Sequence, residues 1–290
     1  MAANTRDIRR RIKSVKNTAQ ITKAMQMVAA SKMRKAQQLA LDGRPYATAL
    51  RKMALALRAL DSEMTHPLLE ARPVAKELVL IVSTDKGLCG GLNTNLLREA
   101  FKFDAAKTVF VTLGRKGAQW VARNKRDLLA DFPLKDAPTF AETKTVSKFI
   151  AEKFLAGEID KVTVLYTDFK NTLTQIPKAV SILPVTDEIE QTDDNSDSSV
   201  TADAGDILFE PNAYTFLDAL LPYSVHMAVY NAVLEARASE HSARMVAMKA
   251  ATDNAKSLIK DLTLEYNKVR QASITTELLE ISTAQMVLGQ

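Results

Sequence analysis

Cysteine occurs once in the 290 residues, at Cys89, which rules out an internal disulfide and any CxxC redox or zinc motif. A small buried thiol is the expected state of that residue. Aromatic residues make up only 6%, and residues 1–42 contain none, so the platforms on which nucleic-acid bases stack are missing there. No window offers the roughly 18 consecutive apolar residues of a membrane span, and residues 1–11 lack the apolar core of a secretory signal. The reading is a chain that does not itself cross the bilayer. Catalytic signatures are also missing: there is no GxSxG and no HExxH. The three histidines, His66, His226 and His241, stand without the cysteine or carboxylate neighbours of a metal site. Neither cofactor nor metal is expected. Finally, glycine and proline are absent from residues 5–42 and 223–288, so nothing in either stretch forbids an unbroken helix.

What is present is an ordinary globular composition, 47% hydrophobic and 25% charged, with an uneven distribution of charge. The net charge is +5, yet residues 1–58 hold fourteen cations against Asp7 and Asp42, a local +12 that leaves −7 elsewhere. Such an arm calls for an acidic partner. Residues 223–288 would form a rod of roughly 100 Å at about 1.5 Å per residue. Its second half carries a seam at His241, Met245, Met248, Thr252, Ala255, Ile259, Leu262, Tyr266, Val269 and Ser273, whose alternating spacing of four and three is that of a coiled coil. At the other end, residues 5–42 show apolar positions at Ile8, Ile12, Val15 and Ala19, then a shift to Ile21, Met25 and Val28. Gly43, Arg44 and Pro45 are expected to interrupt this helix before it resumes over residues 46–60.

Between residues 73 and 183 the period changes. Apolar runs at 77–83, 107–113 and 161–167 read as strands and alternate with helical patterns at 93–103, 116–125 and 143–156; residues 178–183 add an edge strand. The fold class is therefore α/β: a long antiparallel coiled coil of N- and C-terminal helices with an inserted Rossmann-like, mostly parallel domain. The domain plan is 1–66, 73–206 with an acidic, mobile 187–206, and 207–290. Two helical stretches flanking a globular insert can pair within one chain, so a monomer is expected.

Each candidate site has a structural reading beside it. The turn 83–93 (STDKGLCGGLN) follows a strand, where α/β folds bind phosphate, but Gly87, Gly90 and Gly91 form neither GxGxxG nor a P-loop, and a packing turn or subunit contact is favoured. Asp85 and Lys86 read as charged turn residues before they read as an acid/base pair. The methionines Met25, Met27, Met33, Met245 and Met248 read as adaptable helix packing. Polar residues on the long helix, Arg244, Asn254, Gln271, Thr275 and Thr276, fit an outside partner better, because the helix is expected to outrun its N-terminal mate beyond Val269.

Residues 18–36 (TAQITKAMQMVAASKMRKA), 85–93 (DKGLCGGLN) and 239–280 (SEHSARMVAMKAATDNAKSLIKDLTLEYNKVRQASITTELLE) closely resemble the gamma-subunit family of bacterial F-type ATP synthases. The likeness extends over essentially the whole chain. It implies a rotor shaft, one copy per complex, turning within a ring of three alpha and three beta subunits and resting with the epsilon subunit on the membrane c-ring. It implies no catalytic residue and no cofactor in this chain, and no nucleic-acid partner. It places coupling and subunit contact at Met25, Arg244, Gln271 and Thr275, with Lys86, Arg10 and Lys13 as further contacts, and the chain on the cytoplasmic face of the bacterial inner membrane. No transit peptide precedes Arg6, which fits a bacterial member. The cysteine pair of chloroplast members is missing.

Overall fold

The computed structural model describes residues 5–60, 66–133, 135–185 and 213–288; the acidic segment 187–206 lies outside them. The elements are α1 (Thr5–Leu60), β1 (Glu77–Val82), α2 (Leu92–Ala100), β2 (Thr108–Leu113), α3 (Arg115–Arg123), β3 (Asp127–Phe132), α4 (Phe140–Leu155), β4 (Lys161–Phe169), β5 (Gln175–Leu183) and α5 (Ala213–Leu288). They divide into two compact units, Met1–Ala29 with Arg244–Gln290, and Ala30–Ala243.

In the first unit α1 and α5 are antiparallel. The hydroxyls of Thr22 and Thr252 are hydrogen-bonded at 2.7 Å, and the Arg9 guanidinium lies 5.9 Å from the Tyr266 ring centroid. Moving from residue 22 to 9 on α1 therefore moves from 252 to 266 on α5. The seam foreseen on α5 is the buried one. Met248, Thr252, Ala255 and Leu262 are buried, Met245, Ile259, Tyr266 and Val269 half-buried, and Ser273 is exposed. On α1 the expected shift to Ile21 and Val28 does not occur. The seam runs on through Ile8, Ile12, Val15, Ala19, Thr22, Gln26 and Ala29, keeping the four-three spacing, while Ile21 and Val28 stay 61% and 56% exposed. The physical reason is that Thr22 finds a hydroxyl partner in Thr252, and the small Ala29 fits where a branched side chain would hold the helices apart.

The second unit holds a five-stranded sheet in the order β3-β2-β1-β4-β5. The first four strands are parallel, and β5 returns antiparallel to β4. Alternation along β1 builds both faces. Leu78, Leu80 and Val82 join Val146, Ile150 and Phe154 of α4 and Leu217, Leu221 and Val225 of α5 in one cluster; Val79 and Ile81 join Leu96 of α2 and Val121 of α3 in another. This is the covered, mostly parallel sheet expected from the strand composition.

Three elements differ from expectation. Strand β3 has no counterpart in the sequence reading, because DLLADF contains no β-branched residue and sits at the sheet edge, where it is largely exposed. Its Asp131 carboxylate accepts a hydrogen bond from the Thr112 hydroxyl at 2.7 Å. Helix α1 does not break at Gly43–Pro45; Pro45 lies on the exposed side, with Ala40 and Leu50 buried on either side of it. At Gly43 the chains approach closely, since a Cβ there would lie 3.1 Å from Asn231 Oδ1. Helix α5 begins at Ala213 and keeps Pro222 inside it. A proline in a helix interior costs about 3 kcal/mol, whereas each fully buried leucine contributes about 1.5–3 kcal/mol, so the burial of Leu217, Leu220, Leu221 and Val225 outweighs it.

Glycine is required at the turn after β2. Gly114 has φ +99°, and a Cβ there would meet the Ser83 carbonyl oxygen at 2.3 Å, whereas a Cβ on Gly87 would meet nothing within 4 Å. Gly114→Ala is expected to destabilise the protein by about 2–3 kcal/mol in urea denaturation, with Gly87→Ala within about 0.5 kcal/mol of the parent. Equal midpoints for the two variants would show that the Gly114 turn relaxes freely.

Candidate functional site

The charged tip of α1 is positioned by the seam. With Ile8, Ile12, Val15 and Ala19 turned toward α5, Arg10 and Lys13 are left exposed. By the antiparallel register they lie level with roughly the Leu262–Tyr266 stretch of α5. Met25 is half-buried and level with about residue 249; Arg244 is also half-buried. Gln271 and Thr275 are exposed one helical turn apart, and the Thr275 hydroxyl donates to the Gln271 carbonyl at 2.9 Å. From Arg244 to Gln271 the helix rises roughly 40 Å at 1.5 Å per residue. The expected contact residues of this unit thus form two groups, Met25 with Arg244 and Gln271 with Thr275, and Arg10 and Lys13 stand between them along the axis. Lys86 belongs to the second unit, where it is exposed on the turn after β1.

Beyond Val269 α5 is bare. Every residue from 270 to 286 is exposed, including Ile274, Leu278, Leu279, Ile281 and Met286. That is about five turns, in the part of the helix beyond Val269 that was expected to outrun its N-terminal mate. Together with Ile21, Met27 and Val28 on α1, these residues give the first unit exposed apolar side chains at both levels.

The turn after β1 is filled by its own contacts. The Ser83 hydroxyl donates to the Gly114 carbonyl at 2.9 Å and accepts from Gly117 N–H at 2.7 Å. Thr84 Oγ1 donates to the Lys86 carbonyl and accepts from Asn93 Nδ2. Asn93 Nδ2 also lies 3.4 Å from the buried Cys89 sulfur. Asp85 is engaged as well: one carboxylate oxygen accepts Arg115 N–H at 3.0 Å, and the other lies 3.7 Å from Arg237 Nη2. Above the turn, Ala236, Arg237 and Glu240 of α5 leave a cavity of about 10 Å³ against Val82, Ser83, Thr84, Leu92, Asn93, Leu96 and Thr167. A phosphate or nucleotide has no room there.

Arg237 and Glu240 were not singled out from the sequence. They are 3% and 4% exposed and joined through Arg237 Nη1 and Glu240 Oε2 at 2.5 Å. The available signal was an i, i+3 pair of opposite charges on α5, which the sequence also offers at many solvated helix surfaces. Lys32 of α1 and Asp136, joined at 2.6 Å, were missed for the opposite reason, since nothing local links residues 104 positions apart. That hydrogen bond, with the positive charges of Lys32 and Arg237 behind it, holds the Asp136 carboxyl below its ordinary range. A larger groove of 640 Å³ follows β5; it mixes Arg72, Lys161 and Lys178 with Glu77, Asp160 and Glu235.

His226 and His66 are engaged by neighbouring side chains. His226 Nδ1 shares a 2.7 Å hydrogen bond with Ser147 of α4, and His66 Nε2 lies 3.4 Å from Asp218. Burial lowers the pKa of His226, and the Lys144 charge adds to the effect. Burial likewise lowers that of His66, against the opposing pull of Asp218. Among the described residues no three His, Cys, Asp or Glu side chains converge as a metal site, and no helix is long and apolar enough to cross a membrane.

Residues 4–288 match the family model described as ATP synthase. The ATP synthase gamma chain of Methylacidiphilum infernorum is 51% identical over 99% of this chain and the whole of that one. Two solved chains of the Euglena gracilis mitochondrial ATP synthase share the fold. One, from the OSCP/F1/c-ring part in rotational state 3, aligns with TM-score 0.69 at 21% identity, covering 98% of this chain and 94% of that one. The other, from the rotor in rotational state 1, aligns with TM-score 0.65 at 21% identity, covering 93% and 98%.

Because the folded pKa of His226 lies below its unfolded value near 6.5, the folded protein binds fewer protons there. Its contribution to stability is present above about pH 6.5 and is lost as pH falls through that value toward the lowered pKa. In His226→Gln the decline of stability between about pH 6.5 and 5 should be shallower, read as urea midpoints against pH; an identical slope would mean that the histidine does not titrate on unfolding.

Proposed function

Since the chain belongs to the ATP synthase gamma chain family, we propose that it is the central rotor shaft of an F-type ATP synthase, turning as an asymmetric coiled coil inside a ring of alpha and beta subunits. The observation that carries this reading is the bare end of α5. A helix exposing Ile274, Leu278, Leu279, Ile281 and Met286 in water calls for a surrounding surface, and a smooth apolar sleeve satisfies them without the directional bonds that would brake rotation. The exposed cations of α1, Arg10 and Lys13 among them, then face acidic levers on the beta subunits. Met25 with Arg244 serves one level of contact, Gln271 with Thr275 another, and Lys86 a third on the α/β domain. That domain, 73–206 in this plan, rests with the epsilon subunit on the c-ring, at the cytoplasmic face of the bacterial inner membrane.

In this mechanism the chain contributes shape. Catalytic chemistry belongs to the beta subunits, and proton flow turns the c-ring and the shaft together. Because α1 and α5 expose different side chains around the axis, each angle of the shaft offers a different surface to each beta subunit, and binding energy is exchanged for affinity at the nucleotide sites.

Mixed with alpha and beta subunits, the chain is expected to enter a complex at one copy per six, with ATPase activity that depends on the complex; failure to join would overturn the reading. Replacing the half-buried Met25 by lysine adds a cation facing an acidic lever. In that variant proton-driven ATP synthesis should fall severalfold while the complex still assembles, and unimpaired synthesis would remove Met25 from the coupling surface.

A further inference from the structure

Open α/β sheets bind ligands at the carboxyl ends of the strands where the strand order reverses. In the order β3-β2-β1-β4-β5 that crevice opens between β1 and β4, beside Ser83, Thr84 and Thr167. Here the chain's own helix α5 occupies it. The central group is Arg237, whose guanidinium reaches three separate elements. It bonds Glu240 on its own helix at 2.5 Å, donates to the Lys135 carbonyl in the β3–α4 connection at 2.9 Å, and lies 3.7 Å from Asp85 in the β1–α2 turn. Two of these connections are tied further. Asp85 accepts the Arg115 N–H at the start of α3, and Asp136, next to Lys135, accepts from Lys32 of α1. From neighbouring positions of α5, Ser239 Oγ donates to the Thr167 carbonyl at 3.0 Å and Ser242 Oγ to the Thr172 carbonyl at 2.8 Å.

These bonds differ in kind from the apolar packing of α5 between Leu217 and Ala236. Apolar contact is non-directional, so a helix can turn about its own axis against such a surface and exchange one set of contacts for another. A buried guanidinium held by two carboxylates and a carbonyl cannot turn without leaving charges in the interior unpartnered. The contacts of Arg237, Ser239 and Ser242 also leave α5 toward different elements, the β1–α2 turn, the β3–α4 connection, β4 and the β4–β5 hairpin, so they oppose rotation in both senses.

We propose that the ligand crevice of the α/β domain has become a keyed socket for α5, and that Arg237 is the positioning residue through which torque passes between that domain and the helix. The inference rests on the rotor-shaft reading and goes beyond it by naming the joint. Nucleotide recognition is given up at this crevice because the arginine stands in the space a phosphate would need.

The test uses the whole ATP synthase in membrane vesicles, comparing the parent chain, Arg237→Met, and Arg237→Met carrying Ser242→Cys and Thr172→Cys. ATP hydrolysis, ATP-driven proton pumping and subunit composition are measured under oxidising and reducing conditions. For Arg237→Met the expected result is a complete complex that hydrolyses ATP at close to the parent rate while protons pumped per ATP fall severalfold. Oxidation of the cysteine pair, with the disulfide verified by mass spectrometry, restores the ratio and reduction removes it. An unchanged pumping ratio in Arg237→Met overturns the joint, as does a parallel loss of assembly, hydrolysis and pumping. If the parent chain itself fails to support coupled pumping, the shaft reading falls and the joint with it.

Discussion

The apolar stripe of α5 is the constraint from which the rest follows. A helix of 76 residues cannot bury a stripe of that length on itself, and the chain covers it in two ways. From Leu217 to Ala236 the cover is the α/β sheet together with α4, and from Met245 to Val269 it is α1. Where both covers end, from residue 270 onward, the stripe is left to an outside surface. The same constraint explains the composition of α1. Its seam positions are small or polar in the middle, at Ala19, Thr22, Gln26 and Ala29, which brings the helices close and turns the branched residues Ile21 and Val28 outward.

Charge is used in two distinct ways. The cations of α1 between Arg6 and Lys35 are exposed, so each is weak individually and acts through a summed positive field. Arg237 and Glu240 are buried, where a charge is tolerated only with partners in fixed geometry, and their service is directional. A fold that commonly holds a nucleotide here holds its own helix at the corresponding crevice, in keeping with a chain whose contribution is mechanical.

Much of this was legible in the sequence, and the limits have physical causes. The four-three seam on α5 could be read residue by residue through Val269 because from Met245 onward every seam position is apolar, small or threonine. The continuation of the α1 seam could not, since Thr22 and Gln26 are polar and reveal themselves as seam residues only when the facing helix is present. The prolines misled for a related reason. Local rules end a helix at Pro45 and begin one after Pro222, but the burial of Ala40 and Leu50 around the first, and of Leu217, Leu220, Leu221 and Val225 around the second, outweighs the cost. Strand β3 was invisible because an exposed edge strand needs no β-branched alternation. The proposed contact residues Met25, Arg10, Lys13, Arg244, Gln271, Thr275 and Lys86 came through resemblance, and the separation along the axis of those on α1 and α5 came from the register.

The sequence by itself determined most of the elements, the order helix, α/β insert, helix, and the basic arm, because periodicity and charge are properties of neighbouring residues. Only the tertiary structure decided which face of α1 meets α5, how far α5 extends past its cover, and that Arg237 seals the sheet's crevice. Each of those depends on residues a hundred or more positions apart meeting within hydrogen-bond distance, and no local pattern encodes such a distance.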